Sequence, residues 1–367
     1  MTNYQPSLIL ILLAVIILSI LGCNEQKSFS YSAFEFESRN IAHKYDPSAE
    51  RSKEGYWTEK SSQIHSGSAS GLFGSLEGAI FDANDNIYVL DGRNSTINTF
   101  DAQGKSIFNF GGAGRGPNEF LNAKFIASGR DHLFIYDRNL GIKVFSTAKD
   151  SLAHVSTIPV PLEVSGICAL NNKIQIIGTA IVTTAYPKDR MLHEFSIAGE
   201  YLSSNWPIKT PSANPIVNSA GNTGAVACDQ ENNIIALMAE NSPVVRFFNY
   251  TNKTSEQTAA IGGLKLRMIE DTSSDQGISG GVEDLDTFHR VMSIAKFDDT
   301  RFIIHLMKGY KENKDPDTGM YSYLFDRTDL NSVTFYGKNV DYVLNTNQDY
   351  LLVAKYTNGP ELYRYDR

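Results

Sequence analysis

Residues 80–112 read IFDANDNIYVLDGRNSTINTFDAQGKSIFNFGG. Four short apolar pieces stand in this stretch: Ile80-Phe81, Ile87–Leu90, Ile97–Phe100 and Ile107–Phe110. Turn residues separate them, at Asp82–Asn86, Gly92–Ser95 and Asp101–Gly104. Runs rich in β-branched and aromatic residues, broken by turn signals about every ten residues, spell a meander of antiparallel strands.

The pattern recurs. Phe125–Val155 (FIASGRDHLFIYDRNLGIKVFSTAKDSLAHV) repeats it closely, and looser copies follow at Ile167–Trp206, Val226–Ile261, Ile294–Tyr336 and Tyr342–Tyr365. Six units of roughly 45 residues, with four strands in each, predict an all-β fold, a six-bladed β-propeller. The last unit supplies only three strands, so an N-terminal strand is expected to close the ring and remove an exposed sheet edge. Gly55–His65 is the first candidate for that strand, antiparallel to Leu362–Tyr365, and Phe29–Phe36 is the second.

Between the first two units lies GGAGRGPNEF, residues 111–120. A glycine-rich loop raises the question of a phosphate. Gly112-x-Gly114 is followed three residues on by Pro117, no helical pattern comes after it, and no Gly-Lys-Ser/Thr is present, so neither dinucleotide nor P-loop binding fits. The loop is expected to turn the chain from the rim back to the axis.

The stretch DNIYVLDGRNSTINTFDAQGKSIFNFGGAGRGPNEF resembles an NHL-type repeat with its Gly-Arg-Gly-Pro-x-Glu-Phe connector. The whole pattern resembles the six-bladed propeller lipoproteins of Bacteroidetes. That resemblance implies the fold and an envelope location, and it implies no particular ligand, because propellers host many functions.

The N-terminus speaks for the same location. Leu8–Leu21 is an apolar run of fourteen residues, short of the roughly 20 needed to span a membrane. It ends in Ile20-Leu21-Gly22-Cys23, which resembles a bacterial lipobox with Cys23 as the acylated residue. No Lys or Arg precedes the run, and Leu21 is bulky for its place. The expected organisation is a lipoprotein signal peptide at 1–22, a tether at 23–53 and one propeller at 54–367. The chain is expected in the cell envelope, anchored by lipid to the membrane on the periplasmic or the outer side.

Net charge is −8, which gives no basic footprint for nucleic acid. With Cys23 acylated, Cys168 and Cys228 remain. An oxidising envelope permits a disulfide between them, and two small buried residues fit equally well.

Candidate site residues gather on the connector face, where propeller ligands usually bind. Arg115 suits a carboxylate or phosphate, or else holds its own loop by pairing with Glu119 or bonding carbonyls. Glu77 opens the first inner strand in SLEGAIFD, similar to the gluconolactonase propellers, in which such a Glu binds an axial metal. No matching Asn or Asp signature follows in later units, so Glu77 is only a weak metal candidate. Asp91 and Asp137 recur at equivalent turns, which argues that they accept backbone N–H bonds, while the adjacent Arg93 and Arg138 are free to face a groove. The zinc-binding lyases of the peptidylglycine-processing type are also six-bladed, but the seven histidines here share no equivalent position in two units. No cofactor is expected, with calcium or zinc as minor possibilities. Trp57 and Trp206 read as packing residues. The polar insertions Gly262–Asp286 and Tyr310–Thr318 mark a face to search for a ligand.

The expected function is a binding or scaffolding module for an unidentified glycan, peptide or protein. The alternative is a metal-dependent hydrolase, lactonase or lyase working in the axial channel.

Overall fold

The structure is a computed structural model. It describes residues 27–30, 41–44, 61–65, 72–148, 151–180, 187, 189–207, 223–239, 244–251, 256–262, 267–271, 279–281, 288–309, 319–329, 333–338, 342–356 and 359–366. Cys23, the apolar leader, Trp57 and the Tyr310–Thr318 insertion lie outside them.

Six antiparallel sheets carry the fold. Their inner strands are Leu76–Phe81, Ala123–Ser128, Leu162–Leu170, Gly224–Asp229, Phe288–Lys296 and Tyr342–Thr346. In blades one to five the chain then steps outward through three more strands. The first blade shows how closely the turn spacing marks the strands: they run Leu76–Phe81, Ile87–Asp91, Thr96–Phe100 and Ser106–Gly111. Blade six takes two further strands, Tyr350–Lys355 and Glu361–Asp366, from its own unit. Its fourth is Ser61–Ile64, antiparallel to Glu361–Asp366 with Ile64 opposite Leu362 and Ser61 opposite Tyr365.

The middle strands of a blade are buried on both faces, which is why they read as continuous apolar runs rather than as alternating ones. Every residue of Ile87–Asp91 is buried. Ile87 and Val89 pack towards blade six, and Tyr88 and Leu90 towards blade two. The buried apolar residues divide into six clusters, one for each boundary between neighbouring blades. The core is thus a ring of six interfaces. Ile64 belongs to the cluster between blades six and one and is fully buried there, so the closing strand carries core as well as hydrogen bonds. Trp206 packs edge-to-face on Phe248 at the boundary of blades three and four, in keeping with a packing role.

Two strands arise within residues 23–53, the segment expected as a tether. Lys27–Ser30 pairs antiparallel with Arg267–Asp271 of the Gly262–Asp286 insertion, and Ile41–Lys44 lies parallel to Glu256–Gly262 as a fifth strand on blade four. The paired part of Phe29–Phe36 therefore joins the insertion and not the last blade.

Candidate functional site

The six inner strands end around the axis, and their final residues with the turns that follow enclose a cavity of about 580 Å³. Each blade contributes one branched aliphatic side chain to its lining: Ile80, Ile126, Ile167, Val226, Ile294 and Leu344. The rim is charged, with six carboxylates against two cations.

Several rim acids are spent on local structure. Asp82 accepts the N–H groups of Asn84 and Asn86 at 2.8 and 2.9 Å, closing the Asp82–Asn86 turn, and the Tyr88 hydroxyl donates to it at 3.2 Å. Burial beside that carboxylate pushes the Tyr88 phenol well above its usual range. Asp298 holds the equivalent turn of blade five through the N–H groups of Thr300 and Arg301 and the Arg301 guanidinium. Desolvation opposes its ionised form, but those bonds outweigh it and hold the Asp298 carboxyl below its ordinary value.

Lys296 stands between Asp229, at 3.0 Å, and Glu231, at 2.5 Å. Asp229 has no exposed surface. Burial opposes the Lys296 charge, yet the bonds to the two carboxylates raise its pKa. This group of one cation and two anions leaves Lys296 no spare positive charge.

Three rim carboxylates lie on the adjacent blades five, six and one. Asp299 and Asp349 have no hydrogen-bonding or ionic partner for their carboxylates among the described residues, and Asp85 receives one bond, from the Asn347 amide at 2.8 Å. The opposite side is largely neutral. Gln230 of blade four donates to the Ser128 carbonyl of blade two at 2.9 Å, reaching past the short turn of blade three. Arg130 is the cation on that side. Cys168 and Cys228, which the sequence left open between bridge and buried pair, form a disulfide in the cavity wall with Cα atoms 5.6 Å apart. It ties the inner strands of blades three and four.

The four residues expected to form a ligand-binding face occupy the other end of the inner strands, and none of them lines the cavity. Glu77 accepts from Lys124 at 3.0 Å and from the Ser75 hydroxyl at 2.9 Å. Arg138 pairs with Glu163 at 2.9 Å. Arg93 and Arg115 are exposed. Above Glu77, the Tyr356 hydroxyl reaches the Leu76 carbonyl at 3.4 Å, and burial lifts the neighbouring Tyr342 phenol to about 12.

Asp91 and Asp137 do the work that their recurrence suggested. Asp91 accepts the N–H groups of Gly74 and Ser75 at 2.7 and 3.0 Å, and Asp137 those of Leu121 and Asn122 at 2.7 and 2.9 Å. Each fixes the chain as it enters an inner strand.

The glycine-rich loop closes on itself. The Phe120 N–H donates to the Gly112 carbonyl at 2.8 Å, and the Gly116 N–H to Glu119 at 2.7 Å. Gly111 has φ 107°, and a Cβ there would sit 2.8 Å from the Ser95 carbonyl oxygen, so the turn requires glycine. The tie assigned by the sequence to Arg115 comes instead from Lys143. Its ammonium donates to the carbonyls of Gly116, Pro117 and Glu119, and the residue is 2% exposed. Desolvation lowers its pKa. Nothing in the sequence marked a lysine inside an apolar strand as the anchor of a loop more than twenty residues away.

No group of three or more His, Cys, Asp or Glu side chains that could hold a metal occurs among the described residues. Glu77 has a lysine on one oxygen. His193 bonds Ser204 and the Gly178 carbonyl, and His305 bonds Ser322 and the Val343 N–H.

A family model described as a 6-bladed beta-propeller, DUF5128, matches residues 70–257, half of the chain, from the first blade to the start of the fourth strand of blade four. The chain belongs to this family. Among solved structures, the propeller is similar to a Bacteroides fragilis protein described as exported, with TM-score 0.57 and 11% identity over 88% of this chain and 98% of that one. It is also similar to a member of the DUF4221 family from Bacteroides vulgatus, with TM-score 0.55 and 10% identity over 85% and 97%. At such identities the likeness shows the fold alone. No curated protein matches the sequence. Among the described residues, no helix is long and apolar enough to cross a membrane.

Proposed function

We propose that this propeller is a lipid-anchored binding module outside the cytoplasm, and that it takes its ligand in the axial cavity at the turn end of the inner strands. The observation that carries the reading is the cavity itself: about 580 Å³, lined by a branched aliphatic side chain from every blade together with polar groups, and charged at its rim. Binding sites of small molecules have this form. The assignment moves the expected site from the connector face to the opposite one, because the charges around Glu77 and Arg138 satisfy one another.

The Cys168–Cys228 bridge supports an oxidising compartment, and the lipobox-like Ile20–Cys23 supports acylation of Cys23. The exported description of the Bacteroides fragilis protein agrees with that placement. Replacing Cys23 by Ala tests the anchor: the protein should move to the soluble fraction.

Native mass spectrometry of protein gently purified from its own envelope tests the binding. Wild-type protein should retain a small molecule, and a Val226→Trp variant with an unchanged melting temperature should lose it. Equal retention by both, or retention by neither, overturns the cavity as the binding site.

A further inference from the structure

We propose that the axial cavity selects an organic cation: a primary or quaternary ammonium that carries an apolar group. The proposal rests on the binding reading above and names the chemistry of its ligand. The wall accounts for the apolar part. Ile80, Ile126, Ile167, Val226, Ile294 and Leu344 give an apolar group one branched aliphatic contact from every blade, and their side chains offer a polar head no hydrogen bond.

The rim accounts for the charge. Of its two cations, Lys296 is paired with Asp229 and Glu231, so two carboxylates already offset its charge before a ligand arrives. Of its six acids, Asp82 and Asp298 are consumed by their own turns. What remains for a ligand is Asp299, Asp349 and the second oxygen of Asp85, on three consecutive blades. Arg130, on blade two, is the one rim cation with no ionic partner among the described residues, and it stands on the side that Gln230 bridges. A ligand with its apolar group in the throat and its charge at the mouth therefore meets more negative than positive potential. It has carboxylates on the side of blades five, six and one and an amide on the other. An anionic head would meet three carboxylates for one guanidinium, which gives discrimination by repulsion as well as by attraction.

The rim is open to water, so the charge contribution is modest and weakens with salt. Calorimetry on the full-length protein with hexyltrimethylammonium, hexanoate and hexanol separates the contributions. The ammonium should bind at least roughly tenfold more tightly than hexanoate at low salt, and high salt should shrink that ratio. The double variant Asp299→Asn/Asp349→Asn should lose most of the preference while still binding hexanol as wild type does; both residues are exposed and lie in turns, so the fold is retained. Equal binding of the three probes, or tighter binding of hexanoate, overturns the cation assignment and leaves the cavity as a site. Binding of none of the three, with a retained envelope molecule lost in Val226→Trp, overturns the ligand class alone. The same result with no retained molecule overturns both readings.

Discussion

His305 accepts the backbone N–H of Val343 on Nε2 at 3.1 Å, so the second strand of blade five is tied to the inner strand of blade six through one imidazole. Nε2 as acceptor fixes the tautomer, and Nδ1 carries the proton that it donates to Ser322 at 2.7 Å. Complete burial pushes the His305 pKa down to about 3. The folded protein therefore keeps a neutral ring at a pH where the unfolded chain already binds a proton.

The sign of the effect follows. A histidine depressed in the folded state contributes stability above its unfolded pKa near 6.5, and loses it as pH falls from there towards 3. The expected slope is about 1.4 kcal/mol per pH unit inside that window. Urea denaturation across the window should show this loss in wild type, and His305→Gln should be flatter by about that slope. Parallel profiles would rule the imidazole out as the acid-sensitive group.

The bridge between Cys168 and Cys228 closes a loop of sixty residues. By the chain-entropy relation its removal costs about 4 kcal/mol. Melting with and without a thiol reductant should show a drop in wild type that is absent in Cys168→Ser/Cys228→Ser. The variant should match the reduced wild type.

Lys143 and Arg115 make a paired test of the glycine-rich loop. Lys143→Met leaves the carbonyls of Gly116 and Glu119 without their ammonium and should cost about 2–3 kcal/mol. Arg115→Ala should stay within about 0.5 kcal/mol of wild type, as an exposed substitution does. Chemical denaturation of both variants decides which of the two residues holds the loop.

Ile64 tests the ring closure. It is fully buried against blades six and one, so Ile64→Ala should cost about 2–5 kcal/mol. Ser61→Ala, an exposed position of the same strand, should be near neutral. Equal effects from the two would show that this strand contributes hydrogen bonds and no core.

Much of this architecture is legible in one unit of sequence. Ile80–Gly112 shows its strands because turn residues fall at fixed intervals and the runs between them are apolar on both faces. Asp91 and Asp137 are legible because the same carboxylate recurs at the same place. The cavity is not legible. Its aliphatic wall residues look like any other strand interior, and its rim acids look like ordinary turn residues. Whether Asp82 serves its own turn while Asp299 remains unoccupied depends on distances that spacing does not encode. The disulfide is hidden for a similar reason. Its cysteines stand on neighbouring inner strands, sixty residues apart, and their meeting depends on how two blades are offset around the axis.

The pairing of Ser61–Ile64 with Glu361–Asp366 also sets a timetable for the molecule's birth. Gln63 and its partner Glu361 are separated by 298 residues. At ribosomal speeds of about 5–20 residues per second, the first of these strands waits roughly 15–60 s for the second to be made. Through that interval the nascent chain carries an open strand edge at each end of a growing arc. The closing partner is made after every other strand of the ring, so a chain interrupted before it keeps that edge open.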